Sequence, residues 1–392
     1  MKALLKIGEN RPAASLEYAA RVLLNSMGSN LPIERDETPR EQAACLVLPG
    51  DLVVPEELLE KIYASVTLQR ELATGRMDRM GRFDERAIAW EISRPWIDLA
   101  AEDIAGRAAG GGTALGGRER RFRVIVTHDV DRTTGFEPTS ILRSLLQVLR
   151  LRKDPWLPLG LSLSPGALED NIHRLLEFES AHGIGAYYFM MSGPYGLRLH
   201  SSRSDVRWSV SRRIAEAIRQ AGMTIGLHGS YYARERNSYP DERARLEQVV
   251  RAPVTCHRNH YLRFDTTEVW SQLEAAGIQY DFSVGYASRM GFRAGTARPY
   301  PTFALAHRRP SGVIAVPLLY MDAAHEDSNH AETFAQLRVA LEQVKAVQGC
   351  VSVLFHPELF LVDKGLWPRF QEMIAVCRDL GADLSGRLPA DE

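Results

Sequence analysis

Seven short apolar, β-rich runs, RFRVIVTHD, GAYYFMMSG, MTIGLHGS, PVTCHRNHY, IQYDFSVG, GVIAVPLLYMD and CVSVLFHPE, alternate with segments of helical periodicity from residue 121 onwards. A parallel neighbour is reached only through a connection long enough to hold a helix, so this alternation points to parallel strands joined by crossover helices. The helix candidates fit. ALEDNIHRLLEFESAHG carries Ile172, Leu175, Leu176 and Glu179 at helical spacing and places Gly183 where a left-handed C-terminal cap is needed. ETFAQLRVALEQVK repeats the pattern with Phe334, Leu337, Leu341 and Val344. The fold class expected is α/β, with the parallel strands closing into a β/α barrel.

Most of the seven runs end in His, Asp or Arg on their C-terminal side. In a closed β/α barrel those ends surround one mouth, where such folds carry their chemistry. Asp129, Asp131, His228, Arg258, His260, Asp281, Asp322 and His356 then converge although they span more than half of the chain. The first run is the densest, with His128, Asp129 and Asp131 close together. Each element also has a structural reading: an Asp-x-Asp pair caps turns and helices, a histidine beside glycine is often just hydrogen-bonded, CHRNHY could be a solvated loop, and His356 before Pro357 could simply end a strand. Four such events at the same end of successive strands favour a functional site. His173, His182, His200, His307, His325 and His330 fall on predicted helices or polar loops, and Trp208, Trp270, Tyr187 and Tyr188 read as core.

A chain of 392 residues with 45% hydrophobic content has room for two domains. The composition shifts at GRAAGGGTALGGRERR, 106–121, where glycine packs nothing. Residues 1–117 are therefore read as a small α/β N-terminal domain plus a Gly-rich linker of unassigned role, with ACLVLPG as a strand and SLEYAARVLLNSM and PEELLEKIYASV as amphipathic helices. Residues 118–392 are read as the barrel. The formal net charge of −1 gives no case for a nucleic-acid partner. The four cysteines, Cys45, Cys256, Cys350 and Cys377, form no CxxC pair, which excludes zinc-knuckle and disulfide-scaffold readings and suits a reducing compartment. With no secretory leader and no stretch of about 18 apolar residues, a cytoplasmic protein without a transmembrane segment is expected. Nothing in the sequence sets the oligomeric state.

The ordered set VIVTHDVD, HGSYY, RNHYLRFD and FHPELF resembles the motifs of the polysaccharide deacetylase (NodB-homology, carbohydrate esterase family 4) superfamily, closest to its HDVD and HGSY branch. The resemblance covers 119–392. It implies a distorted (β/α)7 barrel and a metal-dependent hydrolase that removes N-acetyl or O-acetyl groups from sugars. By position, Asp129 corresponds to the general base, Asp131 and His228 to metal ligands, Arg258 to the arginine that holds the base, and His356 to the general acid. Asp281 and Asp322 are candidates to orient His356. One departure stands out: where relatives carry a second metal-binding histidine four residues after the first, this chain has Tyr232. A neutral phenol is a poor ligand, so His260, two residues beyond Arg258, is the candidate third donor.

Amide hydrolysis needs an activated water, an electrophile for the developing oxyanion and a proton for the departing amine. A divalent metal ion on one carboxylate and imidazoles meets the first two needs, with zinc the first choice and other transition metals open. The expected partner is an acetylated sugar or glycan, such as an intermediate of polysaccharide assembly. The alternative is a non-catalytic barrel that binds glycan at a degenerate metal site.

Overall fold

The computed structural model describes residues 1–7, 12–36, 44–113, 115, 120–133, 166–194, 202, 204–263, 265–322 and 330–388. Residues 114 and 116–119 of the Gly-rich stretch, and His200 and His325, lie outside the described residues. Near the N-terminus, β1 (Ala3–Lys6), β2 (Ile33–Asp36), β3 (Cys45–Leu48) and β4 (Leu52–Pro55) form a sheet in the order β2-β1-β3-β4. The helices α1 (Ala13–Ser26) and α2 (Glu56–Val66) fall where the periodicity places them. Two further helices, α3 (Gln69–Thr74) and α4 (Trp96–Gly110), have no counterpart in the sequence reading. Helix α4 takes in Gly106 and Gly110, and it buries Ile97, Ala101, Ile104 and Ala108.

The second sheet has nine strands. Five of the seven apolar runs become β5 (Arg123–Val130), β6 (Ala186–Met191), β7 (Thr224–Gly229), β8 (Cys256–Asn259) and β9 (Tyr280–Asp281), all parallel in sequence order. The run CVSVLFHPE becomes β13 (Cys350–Phe355), parallel to β5 on its other side. GVIAVPLLYMD gives two strands instead of one. Its halves are β11 (Arg309–Ala315), paired with β9, and β12 (Leu318–Met321), paired with β13.

That split closes the structure. The sheet order β10-β11-β9-β8-β7-β6-β5-β13-β12, with β10 at Tyr300–Ala304, puts the two halves of one continuous run near opposite ends. Proline 317, which has no N–H to give a ladder, marks the change of partner. On one side Val316 N–H bonds Asp281 O (2.8 Å) and Leu318 N–H bonds Val284 O (2.8 Å); on the other Ser352 N–H bonds Pro317 O (2.7 Å). The sheet therefore curls into a distorted barrel with seven strand positions round it, and β10 (Tyr300–Ala304) is an added antiparallel strand on β11.

Alternation along each strand sorts side chains to two sides. Ile125, Tyr187, Phe189, Cys256, Phe282 and Cys350 share one buried cluster inside the curl. Val124, Val126, Val130, Tyr188 and Leu227 join the larger core between sheet and helices, which continues into the N-terminal unit. The two units are bonded to each other. Tyr18 donates to Pro301 O at 2.7 Å, the Asp98 carboxylate accepts from Ala297 N–H at 2.6 Å, and Glu71 pairs with Arg293 at 2.7 Å. Among the described residues no helix is long and apolar enough to cross a membrane.

Candidate metal centre and active site

Strands β5, β7 and β8 bring the first group of polar residues together. Asp129 and Asp131 lie two apart on β5 and just beyond it, and both face the inside of the curl. His228 comes from β7 and stands in register with Arg258 on β8. His260 comes from a tighter device. β8 ends at Asn259, and a single 3-10 turn starting at His260 turns that ring onto the same cluster, so a continued strand is not what delivers it.

Asp131, His228 and His260 place one ligand atom each within 4.8 Å of one another. Asp131 Oδ1 is 3.1 Å from His228 Nε2 and 3.2 Å from His260 Nδ1, and the two ring nitrogens are 3.0 Å apart. Tetrahedral ligands at zinc-like bond lengths stand roughly 3.3 Å apart, close to this spacing. Nδ1 of His228 lies 3.0 Å from Arg258 O, and a proton there leaves the Nε2 lone pair free to bind. Asp131 Oδ1 is buried without a hydrogen-bond donor of good geometry. A carboxylate oxygen and two imidazole nitrogens converging at this spacing form a donor set that fits a divalent transition ion. Burial alone would raise the Asp131 carboxyl; His260 and His228 outweigh it and hold it well below the ordinary carboxylate range.

Two carboxylate–cation pairs flank this triad. Asp129, 3% exposed, accepts from Arg258 Nη1 at 2.9 Å. Arg258 is wholly buried and also donates to Thr127 Oγ1 (2.8 Å) and Phe282 O (3.0 Å), with its guanidinium 4.6 Å from the Phe189 ring centroid. Burial would raise the Asp129 carboxyl, yet Arg258, with His228 and His356, holds it below the ordinary range. His356, at the end of β13, has Nδ1 2.7 Å from Asp322 Oδ1, while its backbone N–H donates to Asp322 Oδ2 at 2.6 Å. Burial would lower the imidazole; Asp322, aided by Asp131 and Asp129, pushes it well above the ordinary histidine value. The geometry thus favours an ionised carboxylate and a protonated imidazole facing one ion-sized cluster.

Asp281, His128 and Tyr232 lie outside this cluster. Asp281 does not orient His356: it accepts from Ser283 Oγ (2.5 Å) and Trp270 Nε1 (3.2 Å) and sits 3.1 Å from His257 Nδ1. The pairing of His257 with Asp281 puts both on the helix side of the sheet, away from Arg258. His128 also alternates outward. Its ring nitrogens meet Phe355 O at 3.0 Å and Glu179 Oε1 at 2.7 Å, behind the strand that carries Asp129. Tyr232, 37% exposed, is outside the triad, with the Arg236 guanidinium 5.0 Å from its ring centroid. Sequence reasoning missed the partners of Glu179, whose carboxylate lies 2.7 Å from His128 Nε2 and accepts from Tyr188 Oη at 2.7 Å. A carboxylate at a core-facing position of an amphipathic helix is the signal that marks it, because burying it demands a partner.

No family model matches the chain, and no curated protein matches it. Solved structures similar to it include a Mycobacterium smegmatis protein assigned as a polysaccharide deacetylase, with 16% identity, 68% of this chain and 86% of that one covered, and a TM-score of 0.46. A polysaccharide deacetylase from Bacillus cereus aligns at 10% identity, with 69% and 95% covered and a TM-score of 0.38. A CE4 family pseudoenzyme from Bacillus anthracis aligns at 12% identity, with 68% and 64% covered and a TM-score of 0.33.

Proposed function

We propose that the chain is a metal-dependent hydrolase that removes an acetyl group, N-acetyl first, from a sugar or polysaccharide intermediate. The observation that carries this reading is the pairing of a carboxylate held ionised by Arg258 with an imidazole held protonated by Asp322, on either side of the Asp131–His228–His260 triad. A divalent ion held by the triad supplies Lewis acidity toward the acetyl carbonyl and its attacking water. Asp129 takes a proton from that water as the new C–O bond forms. His356 gives its proton to the leaving nitrogen as the C–N bond breaks, so acetate and a free amine leave. Arg258 fixes the Asp129 carboxylate and keeps it from capturing a proton early, and Asp322 fixes the tautomer and orientation of His356. The sequence motifs support the sugar substrate, and the four free cysteines suit a cytoplasmic setting.

The test is acetate release from N-acetylglucosamine oligomers by Zn2+-loaded protein. Asp129→Asn should bind the ion as tightly as wild type and lose acetate release by about 10²–10⁴-fold. The tyrosine at 232, standing where a second metal-binding histidine was expected, keeps the glycan-binding barrel as the second reading. Wild-type protein that binds Zn2+ and glycan yet releases no acetate from N-acetyl or O-acetyl substrates would establish it.

A further inference from the structure

The third donor of the triad sits on the least regular backbone of the site. After β8 the chain turns through Tyr261 (φ 61°) and Leu262 (φ 52°), consecutive residues with side chains in the left-handed region. There Cβ crowds the following carbonyl, so such a turn persists only where its surroundings impose it. Leu262 is buried with Ala287, Leu318, Met321 and Leu354. Arg263 closes the turn through its N–H to His260 O at 3.2 Å, and its guanidinium donates to Tyr231 O at 2.8 Å and to Glu235. The same guanidinium lies 4.4 Å from the Tyr231 ring centroid.

The chain of contacts then leaves the barrel. Tyr231 Oη donates to the backbone carbonyl of Met80 at 2.9 Å. Met80 lies between Met77 and Phe83, which are bridged as an antiparallel pair, and Asp78 Oδ1 accepts from the backbone N–H of Met80 (2.8 Å) and of Arg82 (3.1 Å). Gly81, at φ 69°, completes the fit: a Cβ there would lie 2.8 Å from Arg263 Nε. We infer that the 77–83 hairpin of the N-terminal unit is a positioning element of the metal site, acting on His260 through Tyr231 and Arg263. The N-terminal unit thereby completes the mouth of the barrel. This inference rests on the metal-site reading above.

The test measures Zn2+ affinity of the full chain by competition with a chromogenic chelator, with a melting curve for each variant. Gly81→Ala and Arg263→Ala should weaken Zn2+ binding about 10- to 100-fold, the scale for groups that orient a ligand. Tyr231→Phe, which removes one hydroxyl and keeps the ring, should weaken it by a smaller factor and keeps the comparison available if the other two fail to fold. Tyr18→Phe breaks a contact elsewhere between the same two units and should leave affinity unchanged. Affinity within twofold of wild type in all three hairpin-side variants, with His228→Ala losing the ion, overturns the inference and leaves the triad standing. Equal weakening in Tyr18→Phe also overturns it, as general loosening. Wild-type affinity in His228→Ala overturns the triad and the inference together.

Discussion

Replacing Asp322 by Asn keeps the shape beside His356 and removes the charge. In the wild type the carboxylate lies 2.7 Å from His356 Nδ1 and is fully buried, while the ring is 16% exposed, so solvent screens the pair weakly. Burial pulls the imidazole down and Asp322 is the first influence that lifts it. An opposite charge at this range moves a pKa by about 1–3 pH units, or roughly 1.4–4 kcal/mol. In the proposed mechanism His356 acts in its protonated form, so activity should be lost as pH rises through its pKa. In Asp322→Asn the alkaline limb of the kcat/KM profile should therefore move down by about 1–3 pH units, with activity recovered at lower pH until Asp129 becomes protonated. The assay is acetate release across pH, paired with an NMR titration of the labelled His356 ring in ion-free protein. The sign for stability is the same: a raised imidazole stabilises the fold below about pH 6.5, and that contribution fades as pH climbs through the folded value. An alkaline limb and a ring titration unchanged from wild type would refute the reasoning.

His260→Ala should lose at least about tenfold in Zn2+ affinity by chelator competition, whereas Tyr232→Phe, outside the triad, should keep it. Arg258→Met strands the Asp129 carboxylate in the barrel and should destabilise the protein by about 3–5 kcal/mol at neutral pH in denaturant unfolding. Because the wild-type Asp129 is held low, its contribution is present above the unfolded carboxylate value and lost on acidification, so the penalty should shrink as pH falls and Asp129 is neutralised. Glu179→Ala leaves the His128 ring and the Tyr188 hydroxyl buried without their partner and should cost about 1–3 kcal/mol, with Zn2+ uptake within twofold of wild type.

The barrel was legible because its strands are buried on both faces, which writes each one as a short apolar run with a polar end. The spacing of Asp129 and Asp131 carried their common direction, since a strand alternates with period two. What the sequence left open was set by pairing. Asp281 ends a strand as Asp322 does, and only the register with His257 shows that its carboxylate points outward. Strand β9 is two residues long and β10 pairs antiparallel, so neither has a pattern strong enough to define its edges. The run 309–321 looks like one strand because nothing local says that Pro317 separates two partners. His260 reached the triad by a turn at Tyr261 and Leu262 that no propensity favours, held by residues nearly two hundred positions earlier.

The closing strand has a consequence for how the chain is made. His128 on β5 is bonded to Phe355, 227 positions later, and until β13 exists one edge of β5 has no ladder partner. Synthesis runs from the N-terminus, so Asp131, His228 and His260 leave the ribosome well before the strand that bears His356. An unpaired edge of that kind templates association with other chains, and pairing over such sequence separation is slow. Ion capture by the early triad would fasten β5, β7 and β8 together during that interval, so metal supply during synthesis should govern the yield of folded protein as well as its activity.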